Sequence, residues 1–181
     1  MTDITQLILD DHEIFRRSFA ALDDTDEPER LRAIWEPLAA LLEVHAAAEE
    51  TIFYPQLLRR GEEGEDETVD AIGDHNEIRD GVRAAAPHPI GSPQWWDAVR
   101  RARVANSSHM AEEEDDALPD FRRNAPLTVR EDLGQQFMKF KADHADARDL
   151  DIRDKDPQGY VDAVQADISA ERGSSSLGTG S

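Results

Sequence analysis

The stretch His45-Ala46-Ala47-Ala48-Glu49-Glu50-Thr51-Ile52-Phe53-Tyr54-Pro55 returns in outline as His109-Met110-Ala111-Glu112-Glu113-Glu114-Asp115-Asp116-Ala117-Leu118-Pro119. Both read His-x3-Glu-Glu, and in both a proline lies ten residues past the histidine. A shorter pattern is also doubled: Asp11-His12-Glu13-Ile14-Phe15-Arg16 and Asp74-His75-Asn76-Glu77-Ile78-Arg79. The chain order is therefore lone His, His-x3-Glu, lone His, His-x3-Glu, with the two halves offset by 63 and 64 residues.

Outward from these stretches, apolar residues recur at three- and four-residue steps and strand-like alternation is absent, which predicts an all-α chain. A first helix is expected over about 2–22, with Ile4, Ile8, Phe15, Phe19 and Leu22 on the stripe that also carries His12. A second spans about 28–60, bent or interrupted at Pro37 and Pro55, because proline removes a donor and crowds the preceding turn. A third covers about 67–86 after an acidic linker, and a fourth about 92–123, bent near Pro119. Short connections between four helices predict an antiparallel up-down-up-down bundle made of two similar hairpins. A fifth helix over about 126–153 and a short one over about 158–171 should pack on that bundle. The expected division is a bundle at 1–125, a helical extension of the same domain at 126–171, and a flexible Gly/Ser-rich tail at 172–181.

The 181 residues are 39% hydrophobic, enough for one domain with a core. Forty acidic and 20 basic residues give a formal charge of −20, which predicts that phosphate backbones are repelled and nucleic acid is no partner. No cysteine is present, so disulfides, thiolate zinc sites, iron–sulfur clusters and a Cys nucleophile are excluded. With no basic and apolar leader and no run of about 20 apolar residues, the expectation is a soluble cytoplasmic protein without membrane contact.

On a helix, residues four apart differ by about 40° around the axis, so His45 shares a face with Glu49, and His109 with Glu113. Glu50 and Glu114 fall about 140° away, toward solvent or neighbouring helices, whereas Glu112, about 60° to the other side of His109, rivals Glu113. His12, His45, His75 and His109 each continue an apolar stripe and should point inward. A buried carboxylate without a partner is costly, and a cation among four inward histidines would relieve Glu49 and Glu113. Imidazole with carboxylate suits iron, manganese, zinc or copper. Six donors exceed the four of a mononuclear zinc site. Two octahedral ions offer about twelve positions, of which four histidines, two bridging glutamates and a bridging oxide or hydroxide fill about ten, leaving one open on each ion. The expected metal ligands are His12, His45, Glu49, His75, His109 and Glu113.

These residues resemble the hemerythrin-like family, in particular its bacterial His-His-Glu cation-binding members, over about 4–123. The resemblance rests on Asp11-His12-Glu13, His45 to Glu50 with Phe53-Tyr54-Pro55, Asp74-His75-Asn76-Glu77, and His109 to Glu113. It implies a four-helix bundle with a non-haem di-iron centre, and it is the chief reason for choosing iron. The sequence departs from oxygen-carrying hemerythrins, which resemble a five-histidine pattern: here Arg79 stands one turn after His75, and the last helix has His-x3-Glu in place of His-x4-Asp. The expected function is thus binding of, or reaction with, dioxygen, hydrogen peroxide or nitric oxide, with catalase-like peroxide removal as one concrete form. The alternatives are a sensor that reports to a protein partner, or metal storage. His144 on the fifth helix is a candidate further ligand, a base nearby, or a packed histidine. Tyr54, about 180° from His45 on an ideal helix, is expected to pack or to support the site, with Pro55 able to distort that angle. Asp11 and Asp74 lie off the metal face. His88 reads as an exposed loop residue, and Trp95 and Trp96 as packing at a helix start.

Overall fold

The computed structural model describes the backbone of residues 2–176 and the side chains of 2–173. It is all-helical among the described residues. The first hairpin pairs α1 (Ile4–Asp23) with α2 (Pro28–Ala48), which runs on through a π-helical turn, π1 (Glu49–Phe53), into α3 (Tyr54–Arg60). The second pairs α4 (Gly64–Ala85) with α5 (Pro93–Glu112), which continues through π2 (Glu113–Ala117) into α6 (Leu118–Asn124). Two further helices complete the described chain, α7 (Leu127–Asp143) and α8 (Pro157–Ser176).

Local chemistry sets the helix starts. The Asp3 side chain accepts from Thr5 N at 2.9 Å and caps α1, while Ser92 Oγ accepts from Trp95 N at 3.2 Å and caps α5, with Pro93 in its first turn. Gly81 is required where α4 meets α5: a Cβ there would stand 2.6 Å from Ala102 N. Gly134 does the same for α7, whose backbone lies against Thr2 O.

The buried apolar residues form two clusters. One gathers Ile4, Ile8, Phe53, Leu57, Ile72, Phe121 and Phe137. The other gathers Phe15, Phe19, Leu22, Trp35, Leu38, Trp95 and Val99. Each such large side chain contributes about 1.5–3 kcal/mol by leaving water. Along α1, His12 falls between Ile8 and Phe15, and along α4, His75 falls between Ile72 and Ile78, so a polar layer divides the core. α7 packs on the first hairpin, with Phe137 edge-on to His45 at 6.1 Å between ring centroids, and α8 packs on α4 and α3.

The fifth helix is shorter than its sequence predicts. It stops at Asp143, and Ala147 takes a left-handed φ of 58°. Asp146 and Asp151 hydrogen-bond backbone N–H groups two residues on, at Arg148 and Arg153, and such local turns compete with a helical ladder. At the other end α8 extends through Ser176, past the expected start of the tail at 172. Residues 177–181 of that tail lie outside the described residues.

Candidate metal centre

The fold brings together all six residues singled out by spacing. His12 comes from α1, His45 from α2, Glu49 from the first residue of π1, His75 from α4, His109 from α5 and Glu113 from the first residue of π2. None is more than 3% exposed. His45 Nε2 lies 2.9 Å from Glu49 Oε1, His12 Nε2 3.2 Å from Glu113 Oε2, and His75 Nε2 3.3 Å from Glu49 Oε2. His109 Nε2 is 3.2 Å from His75 Nε2 and 3.8 Å from oxygens of both Glu49 and Glu113. The donor atoms fall into two groups, each within 4.8 Å: His12, His45, Glu49 and Glu113, then Glu49, His75 and His109. Glu49 is common to both.

The donor set fits a cation. Glu49 Oε1 and Oε2, Glu113 Oε2, His12 Nε2 and His45 Nε2 are all buried without a hydrogen-bond partner. Orphaned polar atoms of this kind are costly in an apolar interior unless something charged satisfies them. Burial opposes charge on both His45 and His109. Against it, the nearby Glu49 charge and the hydrogen bond to Asp11 push His45 up to about 9, and Glu113, Asp74 and Glu49 push His109 up to about 10. Burial also works against the Glu49 carboxylate, but His45, His109 and His75 hold it well below its ordinary range.

Three of the four histidines are oriented from behind by a carboxylate of another helix. His45 Nδ1 donates to Asp11 Oδ2 at 3.0 Å, His75 Nδ1 to Glu50 Oε1 at 2.9 Å, and His12 Nδ1 to Glu114 Oε1 at 2.8 Å. Asp74 Oδ2 stands 3.7 Å from His109 Nδ1. Fixing Nδ1 this way turns Nε2 inward and raises its basicity, the usual arrangement behind metal-bound imidazole. Glu50 and Glu114, expected to reach solvent or neighbouring helices, reach the neighbouring helices, and Glu50 is buried.

The C-terminal extension joins this outer layer. Lys141 of α7 pairs with Asp11, and Lys155, just before α8, pairs with Glu50. One lysine therefore stands behind His45 and the other behind His75. Arg79, 1% exposed, donates to Glu50 Oε1 at 2.8 Å and lies 3.4 Å from Glu43. Where an oxygen carrier shows a histidine, this chain has a buried guanidinium that braces a carboxylate. Burial raises Glu50, but His75, Arg79 and Lys155 bring it down to about 2.

Tyr54 supports the site by way of a distorted turn next to Pro55. In π1 its N–H bonds to Glu49 O, five residues back, and in π2 the Leu118 N–H bonds likewise to Glu113 O. Each wide turn inserts one residue just before a proline, whose ring would crowd a regular α turn. The insertion swings the downstream residues by about 100° around the axis. Tyr54 therefore faces inward, and its hydroxyl donates to Glu113 Oε1 at 2.8 Å. Burial, with Glu113 and Glu49 beside it, pushes the phenol well above its ordinary range, so it stays protonated. Pro55 and Pro119, each ten residues past a ligating-type histidine, were the signal for this turn.

Other candidates lie apart. His144 caps the end of α7 and pairs with Asp149 at 2.9 Å. Glu112 is exposed and accepts from Ser108, His88 is exposed, and Trp95 and Trp96 pack in the second apolar cluster. No helix among the described residues is long and apolar enough to cross a membrane.

Residues 3–121 match the family described as the hemerythrin HHE cation binding domain. A DNA nickase from Nostoc sp. is 24% identical over an alignment of 143 residues that covers 77% of this chain and 39% of that protein. The chain thus spans well under half the length of this curated relative. No solved structure matches the chain. The relative's name overturns the exclusion of nucleic acid drawn from charge. Net charge sums the whole surface, and neither a local basic patch nor a bound cation is constrained by that sum. With a buried His/Glu cation site on a helical bundle and a family match over most of its length, the chain belongs to the hemerythrin HHE cation-binding domain family.

Proposed function

We propose that the chain is a non-haem di-iron protein that binds or reacts with a small oxidant or gas: dioxygen, hydrogen peroxide or nitric oxide. His12, His45, Glu49, His75, His109 and Glu113 would hold the two ions. The observation that carries this reading is a pair of buried donor groups sharing Glu49, with orphaned oxygens in both and orphaned imidazole nitrogens in the first. Two irons supply redox equivalents and coordination positions for such ligands. The chain supplies the rest. Asp11, Glu50 and Glu114 orient three imidazoles, and Ile8, Phe15 and Phe137 keep bulk water from the layer. The Tyr54 hydroxyl holds a proton at the Glu113 carboxylate, where it can donate to a ligand that gains negative charge. Peroxide disproportionation is the enzymatic form of the proposal.

Metal analysis with an absorption spectrum of protein from iron-replete cells tests this. About two irons per chain and a visible band altered by peroxide or nitric oxide are expected. A single tightly held zinc, or no peroxide consumption above free iron and no spectral response, defeats it. Glu49→Gln should lower the iron content of both positions, because Glu49 is common to the two groups.

Two observations favour further readings. The lysines of the C-terminal extension, set behind His45 and His75, suit a sensor in which the state of the centre is passed to the extension and read by a protein partner. Oxidant-dependent protease sensitivity at 141–160 would support it. The similarity to a DNA nickase favours a reading in which the centre serves nucleic acid chemistry. Metal-dependent nicking of supercoiled DNA, lost in Glu49→Gln, would support that, and its absence would return the choice to the gas and peroxide chemistry.

A further inference from the structure

The metal layer is buried, so ions need a way in. Between α4 and the α5–π2 segment lies a cavity of about 260 Å³ whose floor includes His109 and Glu113. Every other charged side chain lining it is a carboxylate: Glu63, Asp66, Glu67, Asp70, Glu112 and Asp116. Ala71 and Ala117, both small, complete the wall. At the floor, Glu113 is 2% exposed and its Oε2 has no hydrogen-bond partner. Higher up, Glu67 Oε2 is buried and likewise unpartnered. Burial, with Asp120, Asp116 and Glu63 beside it, raises Glu67 to about 7, against a smaller pull from Arg123. Arg123 itself pairs with Asp120 at 3.5 Å.

From this geometry we propose that the cavity is the loading route of the centre: divalent cations gather at Glu67 and Asp116 and pass between Ala71 and Ala117 to His109 and Glu113. The inference rests on the metal-centre reading and adds to it the path. A mouth of one sign with low-dielectric walls concentrates cations and speeds their arrival, by about 10- to 1000-fold in favourable cases. Carboxylates also replace hydration waters, which a divalent ion must shed before it enters an apolar interior. Neutral gases gain nothing from such a lining, and anions are repelled.

The test is stopped-flow loading of the metal-free full chain with Co(II) alone, monitored by visible absorption, with metal per chain measured at the end. Glu67→Gln with Asp116→Asn should slow loading about tenfold at low salt. The unaltered chain should itself slow as ionic strength rises, and its final Co(II) content and spectrum should match those of the variant. Glu29→Gln with Asp97→Asn, equal in charge change and outside the cavity, should load like the unaltered chain. Glu67→Lys should be slower still. If the cavity variants load at the unaltered rate, or the remote pair slows equally, the route is wrong while the centre stands. If the unaltered chain takes up no Co(II), both readings fall.

Discussion

Replacing Arg79 by Met tests how the buried charges are balanced. Arg79 is 1% exposed and touches two buried carboxylates, Glu43 and Glu50, each 4% exposed. Glu50 keeps His75 and Lys155 after the substitution. Glu43 does not fare as well: burial already raises it, and Arg79 is the nearest cation opposing that, with Arg83 contributing less. Removing one partner of a buried pair costs about 3–5 kcal/mol, because the remaining charge is left uncompensated. For a chain of 181 residues that corresponds to a fall in Tm of about 6–20 °C. The assay is urea unfolding of metal-free protein monitored by far-ultraviolet circular dichroism, with the midpoint compared at constant slope. Glu43→Gln added to Arg79→Met should restore at least about half of the loss, since it removes the stranded charge. The deficit of Arg79→Met should also shrink as pH falls, because a raised carboxyl costs stability only when ionised. A loss under about 1 kcal/mol, or no recovery in the double variant, would refute the reasoning.

Tyr54→Phe leaves Glu113 Oε1 without its donor and should destabilise the metal-free protein by about 1.5–3 kcal/mol in the same assay; a change within about 0.5 kcal/mol would mean the hydrogen bond is not made in solution. Lys155→Met should cost only about 1 kcal/mol, as Lys155 is part-exposed, yet it should visibly raise amide hydrogen exchange around 150–156; unchanged exchange there would show that Lys155 does not tether the segment. Glu67 is held up at about 7 from an ordinary 4.5, so its ionisation penalty is absent below about 4.5, grows through about 7 and then levels off. Glu67→Gln should therefore stabilise the metal-free protein at pH 8 by roughly 1 kcal/mol, discounted for its exposure, and by nothing at pH 4. An equal gain at both pH values would contradict this.

Much of the centre was legible in the chain itself. The doubled His-x3-Glu, read at about 100° per residue, set Glu49 and Glu113 apart from their neighbours, and Glu112 is exposed while both of them are buried. Residues four apart share a face by helical pitch alone, whatever the packing around them. Tyr54, expected to pack or to support the site, hydrogen-bonds Glu113, and a π turn rather than regular α pitch brings it inward. Asp11, off the metal face, and Glu50 and Glu114, directed to solvent or neighbouring helices, each serve a histidine of another helix, and which histidine each serves has no period along a chain. The overlong fifth helix failed for a local reason: the aspartates at 146 and 151 favour turns through their own backbone, a preference that apolar spacing does not register.

The sequence alone determined that the chain is a helical bundle of two like hairpins with four histidines and two glutamates facing inward. Those properties follow from periodicity and from the cost of burying unpartnered charge. Only the tertiary structure decided that Tyr54 claims one oxygen of Glu113, that Arg79 braces Glu50, and that two lysines from the extension stand behind His45 and His75. Each of these is a contact between segments 29 to 130 residues apart. Such contacts depend on which helix faces come together, and only the packed core determines that.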